Sequence, residues 1–416
     1  MPTKEPLEPD EFADYLLEIG GTLVTYGCPS YRLEDVIRSV ATSAGYEAQA
    51  FSLPTGLFVG LSGNGLHRPI VRMIRMKEWG VDLDRLTRVD AIFNDVAESR
   101  CTIRAARERL REVQQSPPRY PRALQWVATA AASGAAAVFF RGGATEVAMA
   151  AFAGAVVGMV GWALNRNPSG RFLGEFLGGV IAALLAGIFT RQWPGTSREV
   201  LVLGAVITLI PGMTLTTGLA ELTRKNLVSG GARLMEAFAG FVLIIFGIAL
   251  AIGLESLAIR HGWLAAAKLA SVPVGLGLPF QVAAVLAASL AFAVLFSVPK
   301  NFLWAAVVSA ALGWVTTGLG NRYVQEAGLT AFGAATVVCL FSNLSARITQ
   351  RPAQLFQLPG MTLLVPGSFG FLSLEAFLTH DGAGSSEKAA QMLLTAGAIV
   401  AGVLVANVLM PPKKLL

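Results

Sequence analysis

From Arg122 to the C-terminus, apolar stretches of about 20 residues, each long enough to cross a bilayer, follow one another with short polar breaks between them. A soluble helical protein would need amphipathic helices, yet most of these stretches are apolar all round. Composition agrees: 54% of the 416 residues are hydrophobic and 14% charged, where globular proteins carry about a quarter. The sequence reads as an integral membrane protein embedded in a lipid bilayer.

Charge is concentrated ahead of this region. Residues 1–122 hold 16 Lys and Arg against 17 Asp and Glu, and the remaining 294 hold 17 against 10. A nearly neutral soluble domain, residues 1–118, thus precedes the membrane part. The net charge of +6 falls in loops and helix ends of the membrane part, and no basic stripe interleaved with aromatics points to a nucleic acid. Cys28, Cys101 and Cys339 are odd in number and far apart, with neither metal spacing nor a disulfide framework. No metal or cofactor is expected. The opening stretch MPTKEPLEPDEFADYLLEIG lacks the apolar run of a secretory signal, so none is expected either.

Within the front domain, EFADYLLEIGGTLVTYG reads as a helix ended by Gly27. Pro29 opens a second, SYRLEDVIRSVATSAG, ended by Gly45. AQAFSLPTGLFVGLSG reads as two strands about a turn at Pro54–Gly56, and IVRMIRMK as a half-buried strand alternating apolar and basic residues. Two helices then lead to the hinge SPPRYPR. Ser30, His67 and nearby acids carry no nucleophile elbow or other spaced catalytic signature. His67 sits in a loop, and Arg32, Glu34, Asp35 and Arg38 read as a solvated helix face with close charge pairs. A small α+β domain that regulates or docks, not an enzyme, is the expectation.

The stretches YGCPSYRLEDVIRSVA and FSLPTGLFVGL resemble the N-terminal signature of the threonine/serine exporter family, Gly-Ala-x-Thr-Tyr-Arg-x-Glu-Asp followed by Pro-Thr-Gly. Gly27, Tyr31, Arg32, Glu34, Asp35, Pro54, Thr55 and Gly56 match, while Cys28 and Ser30 replace the usual Ala and Thr and Pro29 is atypical. The likeness continues through VDLDRLTRVDAIFNDV and the membrane part. It implies a cytosolic front domain, ten spans in the cell membrane and export of threonine or serine. Related two-subunit systems of the same architecture export dicarboxylates such as succinate.

Hydropathy gives ten segments independently: roughly 122–140, 146–164, 171–190, 199–222 and 231–256, then 278–297, 301–319, 325–348, 355–378 and 386–409. A shift of 155 positions superposes the first five on the second five, bringing Pro211–Gly212 onto Pro366–Gly367. The repeated PGMT, at Pro211–Thr214 and Pro359–Thr362, offers a competing shift of 148. Because five is odd, the second copy must enter the membrane from the opposite side. The expected fold is therefore mainly α: ten transmembrane helices as two inverted five-helix repeats, 119–262 and 263–416, behind the α+β domain. Inverted repeats with interrupted helices are a pattern of secondary transporters, and no Walker motif supplies an ATP motor. Basic residues favour the N-terminal side, ten against seven, so both termini are placed in the cytosol.

A break in mid-membrane is tolerable where neighbours or a wet cavity satisfy the freed backbone. Taken singly, Pro211–Gly212 or Pro366–Gly367 reads as a packing kink. Recurrence in the fourth span of both halves, with hydroxyls, turns the reading toward a carboxylate site. Its residues are Pro211, Gly212, Thr214 and Thr217 with the amides of Met213–Leu215, facing Pro366, Gly367 and Ser368. Glu175, Glu221, Glu236, Glu255 and Glu375 lie in or at the ends of spans, with Asn343 inside one. Glu236 and Glu375 are the proton-coupling candidates, although Glu236 also stands at helical spacing from Arg233. The favoured function is proton-coupled export of small carboxylate-bearing solutes of the threonine/serine type. A dicarboxylate exporter, a passive channel and a membrane sensor with a ligand-binding front domain are the alternatives, and homo-oligomers are compatible with each.

Overall fold

The computed structural model describes residues 8–412 except 64, 77–79, 99, 168–169, 266–273, 365–366 and 368–381. The front domain begins with α1 (Pro9–Thr25) and α2 (Ser30–Ser43). Gly27, at φ 99°, turns the chain between them so that Cys28 N–H bonds to Leu23 O at 2.9 Å. Strands β1 (Glu47–Leu53), β2 (Gly56–Ser62) and β3 (Ile70–Arg75) form one antiparallel sheet in the order β1-β2-β3, with Leu53 opposite Gly56. α3 (Leu83–Ala97) is capped by Asp82, which accepts from Arg85 N–H, and α4 (Ile103–Gln115) by Thr102. Leu57, Val59 and Leu61 are buried under the helices, and the opposite sheet face exposes Phe51, Phe58, Val71 and Met73. The half-buried reading of β3 is thus corrected: as an edge strand with helices on one face only, it leaves both apolar residues of its outer face open.

The membrane part continues with α5 (Arg122–Phe139), α6 (Ala144–Leu164), α7 (Gly174–Gln192), α8 (Arg198–Val206), α9 (Gly212–Thr223) and α10 (Leu227–Arg260). It closes with α11 (Leu278–Leu295), α12 (Leu303–Tyr323), α13 (Ala327–Thr349), α14 (Gln354–Thr362) and α15 (Gly382–Leu409). Among the described residues seven helices are long and apolar enough to cross a membrane: α6, α7, α10, α11, α12, α13 and α15. α5 and the pieces α8, α9 and α14 do not meet that criterion.

Helix positions repeat along the chain. Advancing α5 by 155 gives 277–294 against Leu278–Leu295, and advancing α8 gives 353–361 against Gln354–Thr362. Advancing the start of α10 gives 382, where α15 begins. Pro359 lies inside α14 rather than at a break, so the two PGMT copies do not occupy matching places. Packing repeats as well: α5–α6, α6–α7, α6–α8 and α7–α10 are matched by α11–α12, α12–α13, α12–α14 and α13–α15. α5 and α11 pack antiparallel, Ala128 and Ala132 clustering with Ala291 at one end, Ala135 and Val138 with Ala284 and Ala288 at the other. Close approach needs small residues: a Cβ added at Gly247 would overlap Phe176 O of α7.

Candidate functional site at a broken helix

Ser197 caps α8, accepting from Val200 N–H, and the helix stops at Val206. Pro211 has no N–H to continue the ladder. The chain turns there, Gly212 N–H bonding to Ile210 O (2.8 Å) and Leu215 N–H to Pro211 O (3.1 Å). The expected amide set Met213–Leu215 is therefore reduced: among the described residues, Met213 and Thr214 N–H meet no backbone carbonyl. Thr216 Oγ donates back toward Gly212 O and Met213 O and is tied to its own helix.

A cavity of about 510 Å³ lies at this break. Pro211, Gly212, Met213 and Thr214 line it, with Gly367 from the second half. A methyl at Gly367 would stand 2.5 Å from Ile210 Cγ2 and 3.5 Å from Gly212 Cα, so Gly367 abuts the break at Pro211–Gly212. Glu175 of α7 and Glu236 of α10 add carboxylates, and Phe139, Phe140, Phe292 and Phe296 add aromatic wall. No Lys or Arg is among the described lining residues. Thr217 is not in the wall, and Pro366, Ser368 and Glu375 lie outside the described residues. Sequence reasoning missed Thr208 and Thr362 as wall residues, although each belongs to a stretch flanking a proline–glycine pair. The aromatic wall had no local signal, because it comes from α5 and α11.

Between the cavity and the front domain sits a buried polar joint. Glu221, near the end of α9, is 0% exposed, and Arg233 of α10 is 5% exposed. Arg233 Nε donates to Glu221 Oε2 at 3.2 Å. The spacing of Arg233 and Glu236 thus misses a bond made across two helices. Ser229 Oγ donates to the same oxygen at 2.6 Å, and Ser30 N–H donates to Glu221 Oε1 at 3.1 Å. With the Ser229 proton so used, Ser30 Oγ donates to Ser229 Oγ, 2.8 Å away. Pro29, the N-cap of α2, offers no side-chain cap, so a carboxylate of the membrane part caps a front-domain helix. Arg224 lies over the Tyr31 ring at 3.8 Å.

The solvated-face reading of the signature helix is corrected here. Arg32 is buried, while Asp35 and Arg38 form an exposed pair at 3.2 Å. Burial raises the Glu34 carboxyl above its ordinary value against the opposing hydrogen bond from Ser52 backbone. Burial also pushes the Cys28 thiol up to about 12, leaving it protonated and inert. At the far end of α10, Glu255 Oε2 accepts from Arg198 Nη2 at 2.6 Å, and Arg191 pairs with its other oxygen. Each half of the broken helix is thereby bound to α10, α9 through Arg233 and α8 through Glu255.

Two family models match the chain. The threonine/serine exporter model ThrE covers residues 14–255, and a second, Threonine/Serine exporter, ThrE, covers 281–409. A Mycobacterium tuberculosis protein named "Probable threonine/serine exporter" is 26% identical over 83% of this chain and 66% of its own length. An uncharacterized Schizosaccharomyces pombe protein is 28% identical over 60% of this chain and 33% of its own. Pheromone-regulated membrane protein 10 of Saccharomyces cerevisiae is 23% identical over 85% and 46%. The chain spans about a third of the length of the Schizosaccharomyces pombe protein and less than half of the Saccharomyces cerevisiae one. No solved structure matches. With a family model over more than half its length, this multi-pass membrane chain belongs to the threonine/serine exporter family.

Proposed function

We propose that the protein is a secondary transporter that exports threonine- or serine-type amino acids through the cavity at Pro211–Gly212. The observation that carries this is the wall chemistry: two carboxylates, Glu175 and Glu236, the three threonines Thr208, Thr214 and Thr362, the helix-end amides of Met213 and Thr214, and no described Lys or Arg. An amino acid brings one ammonium and one carboxylate. Its carboxylate suits the amides of Met213 and Thr214, and its ammonium suits a glutamate. A dicarboxylate needs a second cation, and the sequence of residues 365–381 contains no Lys or Arg either. The amino acid is therefore the better fit.

The repeated helix positions and antiparallel α5 and α11 support two inverted five-helix repeats meeting at this cavity. Arg347 donates to Pro411 O while Ala346 packs with the front-domain core, which supports both ends of the chain lying on one side. We assign that side to the cytosol from the distribution of basic residues. Glu236 is the wall carboxylate assigned to proton coupling. A noncatalytic front domain is supported by Ser30 being enclosed with Ser229 and Glu221 while His67 is exposed.

Counterflow in proteoliposomes with threonine, serine and succinate, with and without a pH gradient, tests this reading. Threonine or serine counterflow that responds to the gradient is expected. Succinate alone would select the dicarboxylate reading, and none of the three would remove the transport reading for these solutes.

A further inference from the structure

The front domain is attached to the membrane part in two chemically different ways. Its apolar core runs on without interruption into the second half: Leu33 and Leu86 belong to one buried cluster with Ala305, Ala346 and Phe356. Leu83 N–H bonds Phe296 O at 2.9 Å, and Tyr120 OH donates to Val298 O at 2.6 Å on the same corner. No residue of α5–α10 enters that cluster among the described residues. Attachment to the first half is polar, centred on Glu221 with Ser30, Ser229 and Arg233. The cavity takes its wall from both halves.

We propose that the front domain is mounted permanently on the second half and latched to the first by Glu221, and that release of this latch opens the cavity to the front-domain side. This inference rests on the transporter reading above. Alternating access requires the halves to part on one side at a time, and a domain bridging both must let go of one. Separating the apolar mount would expose a continuous core to water. Separating the latch exchanges a handful of hydrogen bonds for bonds to water, a small net change. α9 joins the two places directly: Gly212 lies at the cavity and Glu221 nine residues on, about 13 Å along the helix. Ser30 and Glu221 are positioning residues that act through α9. The Glu255 pairs with Arg198 and Arg191 stay within the first half, holding α8 and α7 to α10 on the far side.

The test uses the full chain in proteoliposomes. Ser30→Cys with Ser229→Cys puts two thiols where hydroxyl oxygens stand 2.8 Å apart. Oxidation should stop threonine counterflow and dithiothreitol should restore it. Undiminished counterflow in fully cross-linked protein overturns the latch and leaves the transport reading intact. A second measurement places Thr214→Cys in the cavity wall of a chain carrying Cys101→Ser and compares its labelling from each side. Glu221→Gln, and Ser30→Pro, which removes the donating N–H at a helix position where proline is accepted, should each raise front-side labelling about tenfold and leave far-side labelling unraised. Glu255→Gln, which breaks no contact between the halves, should leave front-side labelling unraised. Equal change on both sides, or none, overturns the proposal, and this readout stands even if no counterflow is found for any solute.

Discussion

A methyl group added at Gly367 measures directly whether this residue meets the break at Pro211–Gly212. It would lie 2.5 Å from Ile210 Cγ2, about 1 Å or more inside the ordinary carbon–carbon contact of 3.5–4.0 Å. The residue struck is half-buried and β-branched, so no rotamer removes both its branches from the site. Gly367→Ala should therefore destabilise the protein by about 1–3 kcal/mol, the usual range for overpacking. Ile210→Ala should fall at the low end of the roughly 2–5 kcal/mol for Ile truncation, since the side chain is not fully enclosed. If the overlap is real, truncating Ile210 makes room for the new methyl. The double variant should then be more stable than the sum of the singles by at least about 1 kcal/mol, a coupling expected only of residues in contact. Reversible unfolding of the detergent-solubilised protein, followed by tryptophan fluorescence, gives the four free energies. Additivity within about 0.5 kcal/mol would refute the contact, and with it the place of Gly367 in the cavity wall.

Thr214→Ala should raise the Kd for threonine about fivefold, the equivalent of one hydrogen bond of about 1 kcal/mol, whereas Thr217→Ala should leave it unchanged; equal effects would contradict the wall. Cys101 should react with maleimide in the native protein, and Cys28 and Cys339, both buried, only after denaturation. Asp95 is held below the ordinary carboxylate value by hydrogen bonds from Arg109, which donates at 2.8 Å. Its folded pKa is lower than its unfolded one, so its stabilisation is full above the unfolded value near 4 and is lost as pH falls through the folded value. Amide-exchange protection of α3 and α4 should drop below about pH 4, less so in Asp95→Asn; an identical acid slope in that variant would remove Asp95 as the cause. His261→Cys and Glu326→Cys should be labelled from outside intact cells and Ser116→Cys should not, the opposite pattern reversing the assigned orientation.

Much of this protein is a matter of one-dimensional pattern. Apolar length announces membrane spans, since lipid rewards any stretch of about 20 apolar residues whatever its neighbours. Gly27 ending α1, Pro29 ahead of α2 and Pro54–Thr55 between β1 and β2 act through local backbone geometry, so their effect is written in the residues beside them. Pro211 likewise breaks its helix wherever it lies. What reaches across helices is silent in sequence. Arg233 bonds Glu221 on another helix, and Ser30 belongs to a joint with residues 191 and 199 positions away. Arg32 and β3 show the same limit in opposite directions: a charged helix position is buried by docking, and an apolar strand face is left open because the helices cover the other side. The sequence on its own determined that the chain would break at Pro211–Gly212. Only the tertiary structure decided what faces the break, because burial and pairing depend on which surfaces meet.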